Sequence, residues 1–278
     1  MDPGTPLIHL AVFGQYVSKS LSPRIHRMFA GQFALPVEYT AIEATRENFA
    51  AQVRELADSG ARGCNITVPF KYDAWKLATR GSENARRAEA ANTLVFDTGE
   101  WYADNTDGGG LVDDLENGNG IRIRERRVCL LGAGGAAGGV LAALLKRQPK
   151  SILVANRSVE RAQLLAKRHA DLGPVTGAGL DAMSEAGPFD LLVNATSQGH
   201  GGAAPDIPAS LFAPGGLCYD MNYGAASQPL REQCRHRGIV YSDGLGMLVA
   251  QAALSFRSWT GRKADTVTVL EALRAAGE

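Results

Sequence analysis

The sequence predicts an α/β protein with two domains, and three observations support this class. Short apolar runs of strand length alternate with amphipathic segments of helical length along most of the chain. The 278 residues are enough for two ordinary domains, and the hydrophobic fraction of 45% is normal for a packed core. A glycine-rich turn at Gly132–Gly139 begins a second strand–helix series after a first one has ended.

The first series predicts an α/β unit with a mainly parallel sheet. Its predicted strands are Leu10–Gly14, Val37–Ile42, Gly63–Val68, Thr93–Phe96 and Trp101–Ala103, the last two joined by a hairpin turn at Asp97–Glu100. Its predicted helices run from Pro23 through Phe33, over Arg46–Ser59 and over Tyr72–Ala78. Ser22 precedes the first helix and has the side chain of a good N-cap.

A linking helix at Gly110–Leu115 leads to the second series, which predicts a parallel sheet. The predicted strands are Val128–Leu131, Ile152–Ala155, Pro174–Thr176, Leu191–Asn194, Leu217–Met221 and Ile239–Tyr241, with helices such as Val159–His169 and Pro229–Arg237 between them. The chain ends in two helices, Leu245–Trp259 and Thr266–Ala275, which we expect to pack back on the first domain. The predicted domains are therefore residues 1–106 with 245–278, and residues 107–244.

The glycine-rich turn connects a strand to a helix in the pattern of a dinucleotide-binding, or Rossmann, fold. Gly132 permits a tight turn, and Gly134 and Gly135 allow backbone N–H groups to approach a pyrophosphate. The N-terminus of the following helix supplies partial positive charge for that anion. Glycine-rich turns also close ordinary strand–helix connections, so the prediction depends on the strand that follows.

That second strand ends at Asn156, where an NAD-specific site usually carries an acidic residue for the ribose 2′-hydroxyl. Arg157 follows directly, and Arg161 comes one helical turn later. Two guanidinium groups would bind a 2′-phosphate, which predicts NADP as the cofactor. The alternative is that both arginines belong to a solvated helix face.

Composition excludes several other classes of function. Lys plus Arg equals Asp plus Glu, 29 each, so no basic surface for nucleic acid or an anionic membrane is expected. The four cysteines lack CxxC spacing and are predicted to be buried thiols in a reducing compartment. The five histidines lack paired spacing, so no metal site is expected. The N-terminal ten residues show no signal peptide, and we expect a soluble cytoplasmic protein.

Several polar residues occupy strand ends and loops of the first domain, where a substrate would face the nucleotide. Asn65 and Thr67 share one face of the third predicted strand, and Lys71 follows just beyond it. The remaining candidates are Ser20, Ser22, Asn92 and Asp107. These groups suit a ligand with several hydroxyls and a carboxylate. Each also has a simpler explanation, because Ser22 can cap a helix, Asn92 can close a turn and Asp107 can favour a helix start.

The chain resembles the shikimate dehydrogenase family in motifs that follow the family's order over nearly its whole length. The motifs are Ser20–Pro23 (SLSP), Gly63–Lys71 (GCNITVPFK), Ala91–Thr93 (ANT), Asp104–Gly108 (DNTDG), Gly132–Ala136 (GAGGA), Asn156–Ser158 (NRS), Asn194–Ser197 (NATS), Tyr219–Tyr223 (YDMNY) and Asp243–Ala253 (DGLGMLVAQAA). The resemblance implies NADP-dependent reduction of 3-dehydroshikimate to shikimate in aromatic amino-acid synthesis. It also implies a substrate domain formed by residues 1–106 with 245–278 and an NADP-binding domain formed by residues 107–244.

The resemblance assigns roles to residues by their positions in these motifs. Lys71 and Asp107 resemble the catalytic pair. The residues that resemble substrate ligands are Ser20, Ser22, Asn65, Thr67, Asn92, Tyr223 and Gln251. Those that resemble cofactor ligands are Gly132, Ala133, Gly134, Gly135, Ala136, Asn156, Arg157, Ser158, Arg161, Thr196, Met221 and Gly244. The expected partner is the small-molecule substrate alone, with the protein a monomer or homodimer.

Three other functions compete with this interpretation. A relative that also oxidises quinate, or that uses NAD, would share these motifs. A reductase of tRNA-bound acyl groups needs an N-terminal nucleophilic cysteine, whereas the first cysteine here is Cys64, inside a predicted strand. A ligand sensor without catalysis is expected to lack one member of the Lys71–Asp107 pair, and both are present.

Overall fold

The computed structural model describes residues 6–97 and 99–278, which form two compact units. Unit 1 contains the described residues up to Gly110 together with Val249–Gly277, and unit 2 contains Leu111–Leu248 with Glu278. Each unit holds one six-stranded sheet with helices, so the predicted α/β class with two sheets is confirmed. The C-terminal helices belong to unit 1 from Val249 onward. The sequence-based domain boundaries stay a prediction.

The described strands and helices follow one another in the alternating pattern that the sequence predicts. The strands are β1 (Ile8–Gly14), β2 (Val37–Glu43), β3 (Gly63–Ile66), β4 (Arg80–Gly81), β5 (Thr93–Asp97), β6 (Glu100–Asp104), β7 (Arg127–Leu131), β8 (Ser151–Ala155), β9 (Val175–Ala178), β10 (Phe189–Asn194), β11 (Phe212–Asp220) and β12 (Val240–Ser242). The α-helices are α1 (Ser22–Gln32), α2 (Phe49–Asp58), α3 (Lys71–Leu77), α4 (Glu83–Ala88), α5 (Asp107–Asp113), α6 (Gly135–Leu145), α7 (Val159–His169), α8 (Ala182–Ala186), α9 (Gln228–Arg237), α10 (Leu245–Thr260) and α11 (Thr266–Ala275).

The sheet of unit 1 has the strand order β2-β1-β3-β5-β6-β4. The pairings β1–β2, β1–β3 and β4–β6 are parallel, whereas β3–β5 and β5–β6 are antiparallel. Successive residues of β1 face opposite sides of this sheet, so Phe13 enters one apolar cluster and Val12 the other. The predicted hairpin turn connects β5 to β6, although its Thr98 lies outside the described residues.

The sheet of unit 2 has the order β12-β11-β10-β7-β8-β9, with every pairing parallel. This is the strand order of a doubly wound dinucleotide-binding sheet. The chain adds β8 and β9 on one side of β7 and then β10, β11 and β12 on the other side, so the topological switch point lies between β7 and β10. Both faces of β7 are buried, because Val128 and Leu130 enter one apolar cluster while Cys129 and Leu131 enter the other. Strands buried on both faces explain the continuous apolar runs in the sequence.

Some predicted boundaries differ from the structure. Helix α1 begins at Ser22 with Leu21 as its N-cap, so the predicted capping role of Ser22 is wrong. Helix α2 begins at Phe49 because the Asn48 side chain accepts the N–H of Thr45 and closes a turn before it. The short elements β4, α4 and α8 have too few apolar residues to be recognised in the sequence. No helix among the described residues is long and apolar enough to cross a bilayer.

All four cysteines are buried and outside any disulfide, as the sequence predicts. Burial raises the pKa of the Cys129 thiol to about 12, and that of Cys64 is raised for the same reason. The thiols of Cys64 and Cys129 are therefore inert at neutral pH.

Candidate active site

Lys71 and Asp107 form a buried ion pair in unit 1. Lys71 is the first residue of α3 and Asp107 the first of α5, and Nζ lies 2.5 Å from Oδ2. Their side chains are only 14% and 7% exposed, so the charges attract each other with little screening by solvent. The structure thus brings together the two residues that the sequence predicts as a catalytic pair.

Asn92 holds the second oxygen of the Asp107 carboxylate. Its Nδ2 donates to Asp107 Oδ1 at 2.8 Å, while its Oδ1 accepts the backbone N–H of Thr106 at 2.9 Å. A backbone N–H can only donate, so this second bond determines which end of the amide faces Asp107. Each oxygen of Asp107 therefore has its own donor, one from Lys71 and one from Asn92.

Gln251 joins the same group from helix α10. Its Oε1 accepts from Asn92 Nδ2 at 3.1 Å and lies 3.4 Å from the Thr106 hydroxyl. Three of the predicted site residues, Asn92, Asp107 and Gln251, thus lie within one hydrogen-bonded cluster around Lys71. They are far apart in the sequence and meet because the segment just before β5, the start of α5 and the part of α10 from Val249 onward all belong to unit 1.

Asn65 extends this cluster through a hydrogen bond to the backbone of Asn92. Its Nδ2 contacts the Asn92 carbonyl at 3.0 Å, and its Oδ1 accepts from the Tyr39 hydroxyl at 2.7 Å. Asn65 is buried, so its amide is satisfied largely by the protein. The connection to Lys71 therefore runs through Asn92.

The hydroxyls of the loop before α1 are coupled to each other. Ser20 Oγ accepts the backbone N–H of Ser22 at 3.2 Å and donates to the Ser22 hydroxyl at 3.1 Å. Thr67 follows β3, where its N–H donates to the Phe13 carbonyl. Its side chain packs near Gly14, at the end of strand β1. These residues line the same end of the unit 1 sheet.

Tyr223, the remaining predicted substrate ligand, belongs to unit 2. It follows β11 and is half-buried. Burial raises its pKa above the ordinary value, and the nearby charge of Glu278 acts in the same direction. Its hydroxyl therefore stays protonated at neutral pH.

The predicted cofactor residues of unit 2 lie at the carboxyl ends of its parallel strands. Gly132 follows β7 with φ +114°, a conformation that favours glycine. Gly134 is the N-cap of α6, and nothing lies within 4 Å of the position where a Cβ would stand. The first turn of α6, which contains Ala136, begins at Gly135. The turn from Gly132 through Ala133 thus presents the N-terminus of a helix at the reversal point of the sheet, where dinucleotides bind.

The segment after β8 presents two cations. Asn156 donates through Nδ2 to the Ser158 carbonyl, and Ser158 caps helix α7 by accepting the N–H of Arg161. Arg157 and Arg161 are both exposed. One acidic residue, Glu160, stands between them, but its carboxylate accepts from the Ser158 hydroxyl at 2.9 Å.

The ends of β10 and β11 complete this edge. Asn194 Oδ1 accepts from both the N–H and the hydroxyl of Thr196, and the Asn194 carbonyl accepts the N–H of Met221. Gly244 packs against the backbone of Met221 so closely that a Cβ would overlap the carbonyl oxygen. A glycine is therefore required there for close packing.

These residues fit a dinucleotide with a phosphorylated ribose. The helix N-terminus at Gly134 is exposed and sterically open, which suits a pyrophosphate. The exposed guanidinium groups of Arg157 and Arg161 follow the neighbouring strand, as a 2′-phosphate requires. No cluster of His, Cys, Asp and Glu suited to a metal ion occurs in the described part of the chain.

Sequence reasoning missed four residues of the polar cluster. Tyr39, Thr93, Thr106 and Ser255 are buried and make hydrogen bonds to predicted site residues. Signals existed for three of them, because Thr93 and Thr106 lie within the quoted motifs and Ser255 follows Gln251 by one helical turn. No sequence pattern singles out Tyr39.

Comparisons with known proteins agree with these observations. Three family profiles match successive parts of the chain: the shikimate dehydrogenase substrate-binding domain over residues 12–94, shikimate / quinate 5-dehydrogenase over residues 115–200, and the shikimate 5′-dehydrogenase C-terminal domain over residues 244–274. A shikimate dehydrogenase (NADP⁺) from Dechloromonas aromatica is 46% identical over 95% of this chain and 96% of its own length.

The chain belongs to the shikimate dehydrogenase family. Solved structures support the same membership. An Ael1 enzyme from Pseudomonas putida has a TM-score of 0.87 at 38% identity, covering 96% of this chain and 98% of its own. A shikimate 5-dehydrogenase from Thermus thermophilus, solved in complex with NADP(H) and shikimate, has a TM-score of 0.83 at 32% identity, covering 97% and 100%. The two-unit α/β architecture is therefore that of shikimate dehydrogenases.

Proposed function

We propose that this protein is an NADP-dependent shikimate dehydrogenase, which reversibly reduces 3-dehydroshikimate to shikimate in aromatic amino-acid biosynthesis. The observation that carries the proposal is the buried Lys71–Asp107 pair, in a cluster with Asn92 and Gln251. The reaction needs a proton donor at a ketone oxygen and several groups that bind hydroxyls. This cluster offers both.

In the proposed mechanism Lys71 acts on the substrate oxygen. Reduction turns the ketone oxygen into an alkoxide, and the ammonium group of Lys71 donates a hydrogen bond and then a proton to it. In the reverse direction the amine accepts that proton from the hydroxyl. Asp107 keeps Lys71 in place through its 2.5 Å contact, and Asn92 orients Asp107 by donating to its other oxygen.

We propose that the other predicted ligands hold the ring substituents of the substrate. Hydroxyls and amides can both donate to and accept from the hydroxyls and carboxylate of shikimate. This set consists of Ser20, Ser22, Asn65, Thr67, Asn92, Tyr223 and Gln251. All of these side chains are polar and uncharged, so none would repel the carboxylate.

The proposed cofactor residues belong to unit 2. The turn Gly132–Ala136 would hold the pyrophosphate, Asn156–Ser158 with Arg161 the phosphorylated ribose, and Thr196, Met221 and Gly244 the nicotinamide end. When bound, NADPH supplies the hydride, which none of the protein's side chains can supply.

Substitution of Lys71 by Met tests the proposed catalytic role. Lys71→Met keeps most of the stem volume and removes the proton donor, so turnover of shikimate with NADP⁺ should fall by about 10²–10⁴-fold. The Michaelis constant for shikimate should change little. Lys76→Met, an exposed lysine on the same helix, is the matched control and should behave as wild type. A raised Michaelis constant with unchanged turnover would instead make Lys71 a binding residue.

Quinate is a second candidate substrate, because the matching profile over residues 115–200 describes shikimate / quinate 5-dehydrogenases. Kinetics with both polyols and with NADP⁺ and NAD⁺ decide between the two. A ligand sensor without catalysis is less well supported, since the Lys71–Asp107 pair is intact. The four unbonded cysteines support the proposal of a reducing, cytoplasmic compartment, and the protein is proposed to be a monomer or homodimer.

A further inference from the structure

A buried tyrosine lies behind the predicted substrate ligands of unit 1. Tyr39, in strand β2, is 8% exposed and donates its hydroxyl to Asn65 Oδ1 at 2.7 Å. Its ring stacks on His26 with centroids 4.3 Å apart and an angle of 7° between the planes. The ring of Trp259 also lies beside it, with the two ring centroids 6.5 Å apart. Packing against these rings restricts the position of the hydroxyl in the core.

The Asn92 carbonyl and the Tyr39 hydroxyl bind opposite ends of the Asn65 amide. The other end of the Asn65 amide faces the Asn92 carbonyl, which can only accept, so that end is Nδ2. Oδ1 therefore faces Tyr39, and the phenol is the donor. With both ends specified, the Asn65 amide has one favourable orientation.

From Asn65 the hydrogen bonds continue to Asn92. Asn65 Nδ2 lies 3.0 Å from the Ser255 hydroxyl and 3.2 Å from the Thr93 hydroxyl, and these two hydroxyls are 2.7 Å apart. Thr93 donates to Asn92 Oδ1 at 3.0 Å. Asn92 is the residue that holds Asp107. A continuous buried path thus joins the Tyr39 hydroxyl to the proposed catalytic pair.

The Tyr39 hydroxyl stays protonated in this environment. Burial raises its pKa well above the ordinary value, and the nearby Cys64 thiol acts in the same direction. The phenol can therefore donate to Asn65 Oδ1 at neutral pH.

We propose that Tyr39 is a positioning residue for substrate recognition, which helps to hold Asn65 and, through Thr93 and Ser255, the Asn92 amide. This inference rests on the proposed function and adds a residue that no motif contains. Buried polar networks have one low-energy arrangement when every member is satisfied, so the loss of one donor affects the others.

Substitution of Tyr39 by Phe removes the hydroxyl and keeps the ring and its packing. We expect the Michaelis constant for shikimate to rise about tenfold, because Asn65 Oδ1 is left without its donor. The Michaelis constant for NADP⁺ should not change, since the proposed cofactor residues belong to unit 2. Tyr102→Phe, on strand β6 of the same sheet, is the matched control and should leave both constants at wild-type values.

A double-mutant cycle separates positioning from a general loss of stability. If Tyr39 acts through Asn65, Tyr39→Phe should have little further effect on the shikimate constant in an Asn65→Ala background. Equal effects in both backgrounds would overturn the inference. So would an unchanged shikimate constant in Tyr39→Phe, or a parallel rise for NADP⁺, while the wild type oxidises shikimate. A wild-type protein that does not oxidise shikimate would overturn the proposed function and this role with it.

Discussion

Arg157 and Arg161 are exposed cations just after strand β8, where we propose that the dinucleotide places its ribose. A charge-assisted hydrogen bond to a phosphate contributes about 1.5–3 kcal/mol, so two of them matter more than the neighbouring backbone contacts. Replacement of both by Ala should raise the Michaelis constant for NADP⁺ about 100-fold or more. The constant for NAD⁺ should change little, because NAD⁺ lacks the 2′-phosphate.

The control for this pair is Lys167→Ala, which removes an exposed cation from the far end of the same helix. It should leave both Michaelis constants unchanged. Equal losses for NADP⁺ and NAD⁺ in the double variant would contradict a specific phosphate contact, and unchanged constants for both would indicate a solvated helix face. Steady-state kinetics with each cofactor, at saturating shikimate, provide the measurement.

His26 predicts a pH dependence of stability. It is fully buried, and neither ring nitrogen has a hydrogen-bond partner of good geometry among the described residues. Burial lowers the pKa of His26 from 6.5 to about 3, with Asn65 opposing the shift only in part. The unfolded chain therefore binds a proton between these pH values while the folded chain does not, so the free energy of unfolding falls as the pH falls below 6.5.

The expected loss between pH 8 and pH 5 is about 2 kcal/mol from this one residue. Urea unfolding at both pH values measures it in the wild type and in His26→Phe, which has no titrating group. The free energy of unfolding of His26→Phe minus that of the wild type should increase by about 2 kcal/mol between pH 8 and pH 5. His236→Phe, at an exposed position, should retain the wild-type pH dependence. A His26→Phe variant that loses the same stability at pH 5 would contradict the prediction.

Among the elements, helix α10 is attached to the unit 1 sheet at Gly63. The indole N–H of Trp259 donates to the Leu94 carbonyl at 2.9 Å and lies directly over Gly63. A Cβ at Gly63 would overlap both the indole and that carbonyl. Gly63→Ala should therefore lower the free energy of unfolding by about 1–3 kcal/mol through overpacking.

Gly31 in helix α1 provides the control for Gly63. Nothing lies within 4 Å of the position that a Cβ at Gly31 would occupy. Gly31→Ala should raise the free energy of unfolding by about 0.5–1 kcal/mol, because Ala loses less conformational freedom in a helix. Denaturant unfolding of the two variants measures both effects. If Gly63→Ala leaves the free energy of unfolding unchanged, Trp259 must move aside at no cost in stability.

At the scale of the whole molecule, the three tryptophans offer a probe of one unit. Trp75, Trp101 and Trp259 all belong to unit 1, so tryptophan fluorescence reports on that unit. Most of the proposed substrate ligands lie there too. Shikimate at about 100 times its dissociation constant should raise the fluorescence-detected free energy of unfolding by about 2.7 kcal/mol.

The matched control ligand is cyclohexanecarboxylate, which has the ring and the carboxylate but none of the hydroxyls. It should leave the fluorescence-detected transition nearly unchanged if, as we propose, the polar cluster around Asn92 binds the hydroxyls of the substrate. If both ligands stabilise the protein equally, the carboxylate alone would account for binding. If shikimate has no effect, the proposed substrate site in unit 1 is wrong.

Features that depend on residues close together in the chain could be predicted without a structure. Apolar periodicity predicted the strands of both sheets except the two-residue β4. The turn at Gly132 with Arg157 predicted a nucleotide site, because both features depend on local backbone geometry. The family motifs then pointed to Lys71 and Asp107, which the structure places 2.5 Å apart.

How these groups are held depends on contacts between elements that are distant in the chain. Asn65 and Ser255 are 190 positions apart in the sequence, yet Nδ2 and Oγ lie 3.0 Å from each other. Tyr39 looks like an ordinary strand residue until β2 is placed beside β1 and its hydroxyl meets Asn65. The capping of α1 by Leu21 was likewise not predictable from Ser22. Such hydrogen bonds depend on the packing of distant elements, which no local pattern encodes.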